Sequence, residues 1–255
     1  VTSQPTPSRK AARAELAARR RAEAEAARRR ERLVRAGVVG LVLAAVVVAG
    51  VVLAVRDRNA SEEAARQPVP AGATGVGGGI AVGPADAPVL DLWEDFQCPA
   101  CAQLERTTGP TIEQLVDDGE LRVVYHPLSF LDDNLGNDAS RRSAAAAGCA
   151  ADAGVFREYH DAVFAAQPAE EGVGYTDEQL LEAGRTAGLD GAAYDTFATC
   201  VDEGRYDGWV RQVADSQDEA DVRGTPTLRL DGRTLEGPEL TPEGLTAAVR
   251  AAAAS

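Results

Sequence analysis

The 255-residue sequence has no methionine and one lysine, Lys10, with arginine at almost every other basic position. Histidine is scarce as well, only His126 and His160, and there are four cysteines, Cys98, Cys101, Cys149 and Cys200. A structural zinc site asks for four ligands, commonly two close pairs. One close pair is present, the other two cysteines stand alone, and the histidines have no partner spacing. A zinc clamp is therefore excluded, and no metal is expected. Basic charge is also sparse over most of the chain: residues 56–255 carry fifteen basic and thirty-six acidic side chains. Without a basic patch to neutralise phosphates, nucleic acid is excluded as a partner, and the acidic surface reads as a solvated one. No internal repeat is present beyond the low-complexity N-terminal stretch.

The charge that is missing there is concentrated at the other end. Residues 1–35 hold eleven basic and four acidic side chains. Thr2–Ser8 is rich in Pro and Ser and reads as disordered, while Lys10–Arg35 is built of strong helix formers without an apolar stripe. The segment 36–55, AGVVGLVLAAVVVAGVVLAV, then runs for twenty residues without a charge. As a helix it would be roughly 30 Å long, the thickness of a bilayer's hydrocarbon core. It is longer than the apolar region of a cleaved signal peptide, so an uncleaved signal anchor is expected, although Val52–Ala54 also passes for a cleavage site. Arg28, Arg29, Arg30, Arg32 and Arg35 flank it on the N-terminal side. The positive-inside rule then leaves the N-terminus cytoplasmic and the rest extracytoplasmic. The expected organisation is a charged cytoplasmic tail (1–35), a transmembrane helix (36–55), a flexible Pro/Gly-rich linker (56–79) and a folded domain (80–255).

Within that domain the pattern predicts an α/β layer with a helical insertion. Pro88–Phe96 and Glu120–Leu128 read as strands, and Pro99–Asp118 as a helix kinked at Gly109-Pro110. From about 138 to 222 the pattern is helical throughout, with Phe156, Tyr159, His160, Val163 and Phe164 on one apolar face. Pro226–Leu230 reads as a strand, Asp231-Gly232 as a hairpin turn, and Thr241-Pro242-Glu243 as a capped helix start.

Cys98 and Cys101 carry the chemistry. A disulfide across three residues closes too small a loop to constrain the unfolded chain, so a static staple is a poor reading. Exchange is what this spacing does well. At a helix start, Cys98 meets free N–H groups and the positive end of the macrodipole, which favour its thiolate. A low-pKa thiolate is a good leaving group and is reactive toward disulfides. Cys101, one turn inward, is placed to resolve a mixed disulfide. Pro99 suits the first helical position, where its missing N–H costs nothing.

Together EDFQCPAC (94–101), the helical block and GTPT (224–227) resemble the DsbA-like branch of the thioredoxin-fold thiol-disulfide oxidoreductases, most closely the membrane-anchored actinobacterial members. The resemblance implies a thioredoxin fold with an inserted all-helical subdomain, and no cofactor beyond the Cys98–Cys101 disulfide. It implies that Pro226 is cis beside the cysteines and that the Thr225 backbone pairs with extended substrate. It also implies disulfide formation in reduced exported proteins, with reoxidation by a membrane partner of the vitamin K epoxide reductase type. Cys149 and Cys200, both in the helical block, are expected to form a structural disulfide, the alternatives being buried thiols or a second relay.

Other residues read more modestly. Glu94, four residues before Cys98, is a candidate proton relay to Cys101, against a salt-bridged or solvent-facing carboxylate. His160 reads as a satisfied core residue, Trp93 as packing, and His126 as a weak candidate for the site. Ala100 stands where the strongest oxidants of the family have histidine, so a weaker oxidant is expected. Two rivals remain: a thiol reductase of the envelope, as in cytochrome c maturation, and a non-enzymatic tethered binding or chaperone module. An isomerase is disfavoured because no separate dimerisation domain is evident.

Overall fold

The structure, a computed structural model, describes Val48, Gly50 and residues 67–254 apart from Val76 and Glu171. The expected cytoplasmic tail, the membrane segment apart from Val48 and Gly50, and linker residues 56–66 lie outside the described residues. Among the described residues no helix is long and apolar enough to cross a membrane. The chain divides at Ser61 into two units, and the second holds the fold described below.

Five strands form one mixed sheet: β1 (Ile80–Val82), β2 (Val89–Glu94), β3 (Arg122–Pro127), β4 (Thr227–Leu230) and β5 (Arg233–Thr234), in the order β1-β3-β2-β4-β5. β2 and β3 are parallel, and the remaining pairs are antiparallel. Parallel neighbours need a crossover, which α1 (Pro99–Thr107) and α2 (Gly109–Asp117) supply. β2 is central, and Leu90 and Leu92 are fully buried opposite Val123 and Tyr125 on β3 and Leu230 and Leu228 on β4. The expected kink is a complete break. Thr108 ends α1 and begins α2, Pro110 sits in the first turn of α2, and the Thr108 hydroxyl donates to the Leu240 carbonyl at 2.8 Å.

The helical block comprises α3 (Leu131–Leu135), α4 (Ala139–Asp152), α5 (Phe156–Ala165), α6 (Asp177–Thr186), α7 (Gly191–Asp202) and α8 (Asp207–Glu219). α4 is its axis: Ser143–Ala151 is buried without interruption, and the helix packs on α5, α7 and α8. Small side chains make this possible. A Cβ on Gly148 would lie 2.9 Å from the Tyr206 ring, and one on Gly184 of α6 only 2.4 Å from the Phe197 ring of α7. The face Phe156–Phe164 of α5 is buried at all five predicted positions. A disulfide joins Cys149 of α4 to Cys200 of α7.

The C-terminal part follows the sequence signals. Asp231 and Gly232 both take positive φ, 47° and 79°, as a two-residue hairpin turn requires. Thr241 caps α9 (Pro242–Ala253), its hydroxyl accepting from the Gly244 N–H at 3.2 Å. The edge strand β1, the short α3 and the 3-10 turn Gly237–Leu240 have no clear sequence signal, because each is too short to show a period.

The expected flexible linker changes character before it ends. Ala71 donates to Asp152, Ala73 bridges Ile80, and Gly77 and Gly78 accept from Ser216 and from the Trp209 indole. Backbone groups satisfied by α4, α8 and β1 hold these residues in place. The folded domain therefore begins before Ile80.

The Cys149–Cys200 bridge spans 51 residues. On the chain-entropy model a loop of this length contributes about 4 kcal/mol. Replacing both cysteines with alanine is expected to lower the unfolding free energy by that order in urea titrations, with Cys98 and Cys101 still able to pair.

Candidate active site

The end of the central strand is where the cysteines emerge. β2 finishes at Glu94, the loop Asp95–Gln97 follows, and Cys98 is the N-cap of α1 with extended backbone (φ −75°, ψ 119°) and Pro99 next. Across from it, the Thr225–Pro226 peptide bond is cis and leads directly into β4. The Cys98 sulfur lies 3.5 Å from the Thr225 carbonyl oxygen. Both cysteines are reduced. Cys98 retains 8% exposure and Cys101 none, whereas Pro99 and Ala100 are exposed.

The two sulfurs are chemically unequal. The Cys98 thiol is lowered to about 5, chiefly by a hydrogen bond from Cys101; Thr225 and the N–H groups of Cys101 and Ala100 add to this against the cost of burial. The Thr225 hydroxyl has no other partner among the described residues. Burial pushes the Cys101 thiol far up, and the Cys98 and Glu94 charges push it further. The result is one anionic sulfur at the rim and one protonated sulfur beneath it.

Side chains from the helical block hold the loop, and sequence reasoning missed them. Asp95 accepts from the Ser140 hydroxyl at 2.6 Å and from the Gln97 N–H at 2.9 Å. Burial raises the Asp95 carboxyl to about 7 despite these bonds. The Gln97 amide donates to Asp132, Asn137 and Ser140 at 3.0, 2.9 and 2.8 Å. Gln167 donates to the Phe96 and Cys98 carbonyls, and the Tyr175 hydroxyl sits 3.0 Å from the former. Asp95 and Gln97, polar residues pressed against an apolar strand, were the one available hint.

Glu94 is neither solvent-facing nor exposed. It is 1% accessible, and Oε1 accepts from His160 Nε2 at 2.5 Å. His160 is accordingly a satisfied core residue, as expected, but its partner is the Glu94 carboxylate. His126 bonds Asp91 at 2.9 Å and stacks on Trp93, with ring centroids 4.5 Å apart, which gives both packing roles. Glu94, Glu105 and His160 are the one grouping among the described residues whose donor atoms converge closely enough to share a cation, within 4.8 Å. The Glu94–His160 bond uses the imidazole nitrogen that a cation would need, and burial raises Glu105 to about 8, leaving it protonated at neutral pH.

A family model described as Thioredoxin matches residues 76–251. The chain belongs to the thioredoxin family. Among solved structures of this family it is similar to reduced DsbA from Mycobacterium tuberculosis, at 32% identity over 68% of this chain and 91% of that one, with a TM-score of 0.57. It is also similar to MdbA, a thiol-disulfide oxidoreductase from Actinomyces oris, at 27% identity over 66% of this chain and 81% of that one, with a TM-score of 0.56. These likenesses put the chain in the DsbA-like branch. Among curated proteins, the Na(+)/H(+) antiporter NhaA 3 of Salinispora tropica is 35% identical over 178 residues, 68% of this chain but 24% of the antiporter. The chain thus spans about a quarter of the length of the curated relatives it matches.

The low Cys98 value fixes a pH response. A depressed thiol stabilises the reduced fold above its unfolded value near 9, and that stability is lost as pH falls toward about 5. Alkylation of Cys98 by iodoacetamide is expected to rise through pH 5 and level off by pH 7. A rise centred near 9 would contradict the site as described.

Proposed function

We propose that the chain is a thiol-disulfide oxidoreductase, a dithiol oxidase that forms disulfides in exported proteins from a membrane-tethered, extracytoplasmic position. The unequal cysteine pair is the observation that carries this reading. A stable Cys98 thiolate beside a protonated Cys101 makes the reduced state favourable and the disulfide correspondingly easy to reduce. In the forward reaction a substrate thiolate attacks Cys98 Sγ and the Cys98–Cys101 bond breaks. Cys101 leaves and takes a proton. A second substrate thiolate then attacks the substrate sulfur of the mixed disulfide, releasing oxidised substrate and the Cys98 thiolate. Two electrons pass from substrate to enzyme. Thr225 supplies backbone groups beside Cys98 for an extended substrate segment, and the cis Pro226 contributes no N–H there. Glu94 serves as proton relay to Cys101. A membrane oxidant of the vitamin K epoxide reductase type accepts the electrons.

The tether rests on the uncharged segment 36–55 and its arginine flank. The strength of the oxidant rests on position 100. Here the thiolate is held by Cys101, Thr225 and main-chain N–H groups, with nothing from the Ala100 side chain.

Equilibration of the full chain with glutathione buffers, with cysteines trapped by alkylation, tests the direction. The expected potential lies between about −270 mV, the thioredoxin value, and about −120 mV, that of the strongest DsbA oxidant. A value at or below the thioredoxin figure would favour the envelope reductase. Ala100→His is expected to raise it by tens of millivolts, about 30 mV corresponding to ~1.4 kcal/mol. Cys98→Ser should abolish exchange; full activity in that variant would mean a binding or chaperone module instead.

A further inference from the structure

Cys101 gains and loses a proton in every cycle, yet it is sealed from solvent. Glu94 beside it is sealed as well, so a relay ending at Glu94 would have no exit. Glu105 and His160 both lie close to Glu94, and His160 is the one hydrogen-bonded to it among the described residues. His160 Nε2 donates to Glu94 Oε1 at 2.5 Å, while Glu94 Oε2 is buried with no hydrogen-bond partner among the described residues, leaving it available to the Cys101 proton. On the opposite edge of the ring, His160 Nδ1 lies 3.4 Å from Asp161 Oδ1. That is a long contact, made to a half-exposed side chain. Asp161 hydrogen-bonds in turn to Glu113 of α2. The two line a surface cavity of about 140 Å³ together with Glu105 and Arg106.

We propose that His160 is the middle of a proton path that runs from Cys101 through Glu94 and out by Asp161 and Glu113. This rests on the reading of Cys98–Cys101 as an exchanging pair. When Cys101 leaves as a thiolate, Glu94 gives it the Oε2 proton and His160 takes one at Nδ1 from Asp161, which is resupplied from solvent by Glu113. The reduced site holds Cys101 as thiol, Glu94 as carboxylate and His160 as imidazolium. On reoxidation the steps reverse: Cys101 returns its proton to Glu94, and His160 releases the Nδ1 proton outward. The oxidised site holds the disulfide, a protonated Glu94 and a neutral imidazole. The Glu94–His160 pair is neutral overall in both states, so no uncompensated charge is left in the core.

The surroundings fit these roles. Facing His160 are Glu94 from β2, Glu105 from α1, Tyr125 from β3 and Asp161 from its own helix, with Arg157 of the same helix and Glu113 of α2 acting on Asp161. Phe96, Phe156 and Phe164 close the remainder. Burial works against a charged imidazole, but Glu94 and Asp161 hold it well above the ordinary histidine value in this reduced structure. Removing the Glu94 charge removes the largest support and leaves burial to favour the neutral ring. The bond to Asp161, with burial, raises Glu113 to about 7, suited to exchange with water near neutrality.

The test is nitrogen NMR on the full chain with 15N-labelled histidine at pH 7, fully reduced and then oxidised by glutathione disulfide. The cysteine state is read in parallel by alkylation and mass. Only two histidines contribute, and Glu94→Gln identifies His160 by moving its signal and not that of His126. The expected result is an imidazolium signature for His160 in the reduced chain and a neutral one in the oxidised chain, with no such change in Glu94→Gln. If the Cys98–Cys101 disulfide forms and His160 keeps one charge in both states, the proton path is overturned and the exchange reading stands. If the disulfide does not form, both are overturned.

Discussion

A single negative charge at the start of α1 organises this molecule. A helix N-terminus leaves N–H groups unpaired and carries a partial positive charge, and Cys98 is set where both converge on its sulfur. The rest of the site keeps that charge in place without neutralising it. Cys101 donates a hydrogen bond to it from a fully buried position, and Thr225 approaches from the cis-proline turn that leads into β4. The Asp95–Gln97 loop is fastened from outside by Ser140, Gln167 and Tyr175. The helical block is thus more than an added layer. It determines how rigidly the loop behind the thiolate is held.

Much of the fold was legible because its signals are local. The burial of Phe156, Tyr159, His160, Val163 and Phe164 follows from helical spacing, and the Asp231-Gly232 turn from two residues that tolerate positive φ. The Cys-Pro-Ala-Cys start was legible for the same reason, since the cap, the proline and the one-turn spacing lie within four residues. What could not be read depends on partners far along the chain. Gln97 meets residues 35–43 positions away, and Glu94 meets His160 across 66. A carboxylate four residues before a cysteine looks the same in sequence whether it faces water or a buried imidazole. The segment 71–79 misled for a related reason: glycine-rich composition looks like a linker, yet its carbonyls are what Trp209 and Ser216 require.

Small residues set the dimensions of the whole arrangement. α4 buries a run of alanines where a typical core helix would bury leucines, so its neighbours pack close to its axis. Gly148 and Gly184 extend this by admitting aromatic rings against bare backbone. Ser140 sits on the same helix, so the spacing that accommodates the rings also fixes how far the Asp95 hydrogen bond must reach.

The bridge between α4 and α7 has a further meaning once the activity is considered. Cys149 and Cys200 must themselves be oxidised after the chain emerges, in the compartment where it is proposed to act. On the proposed reading, each new copy carries a bridge of its own that has to close by the same exchange chemistry it performs on other chains.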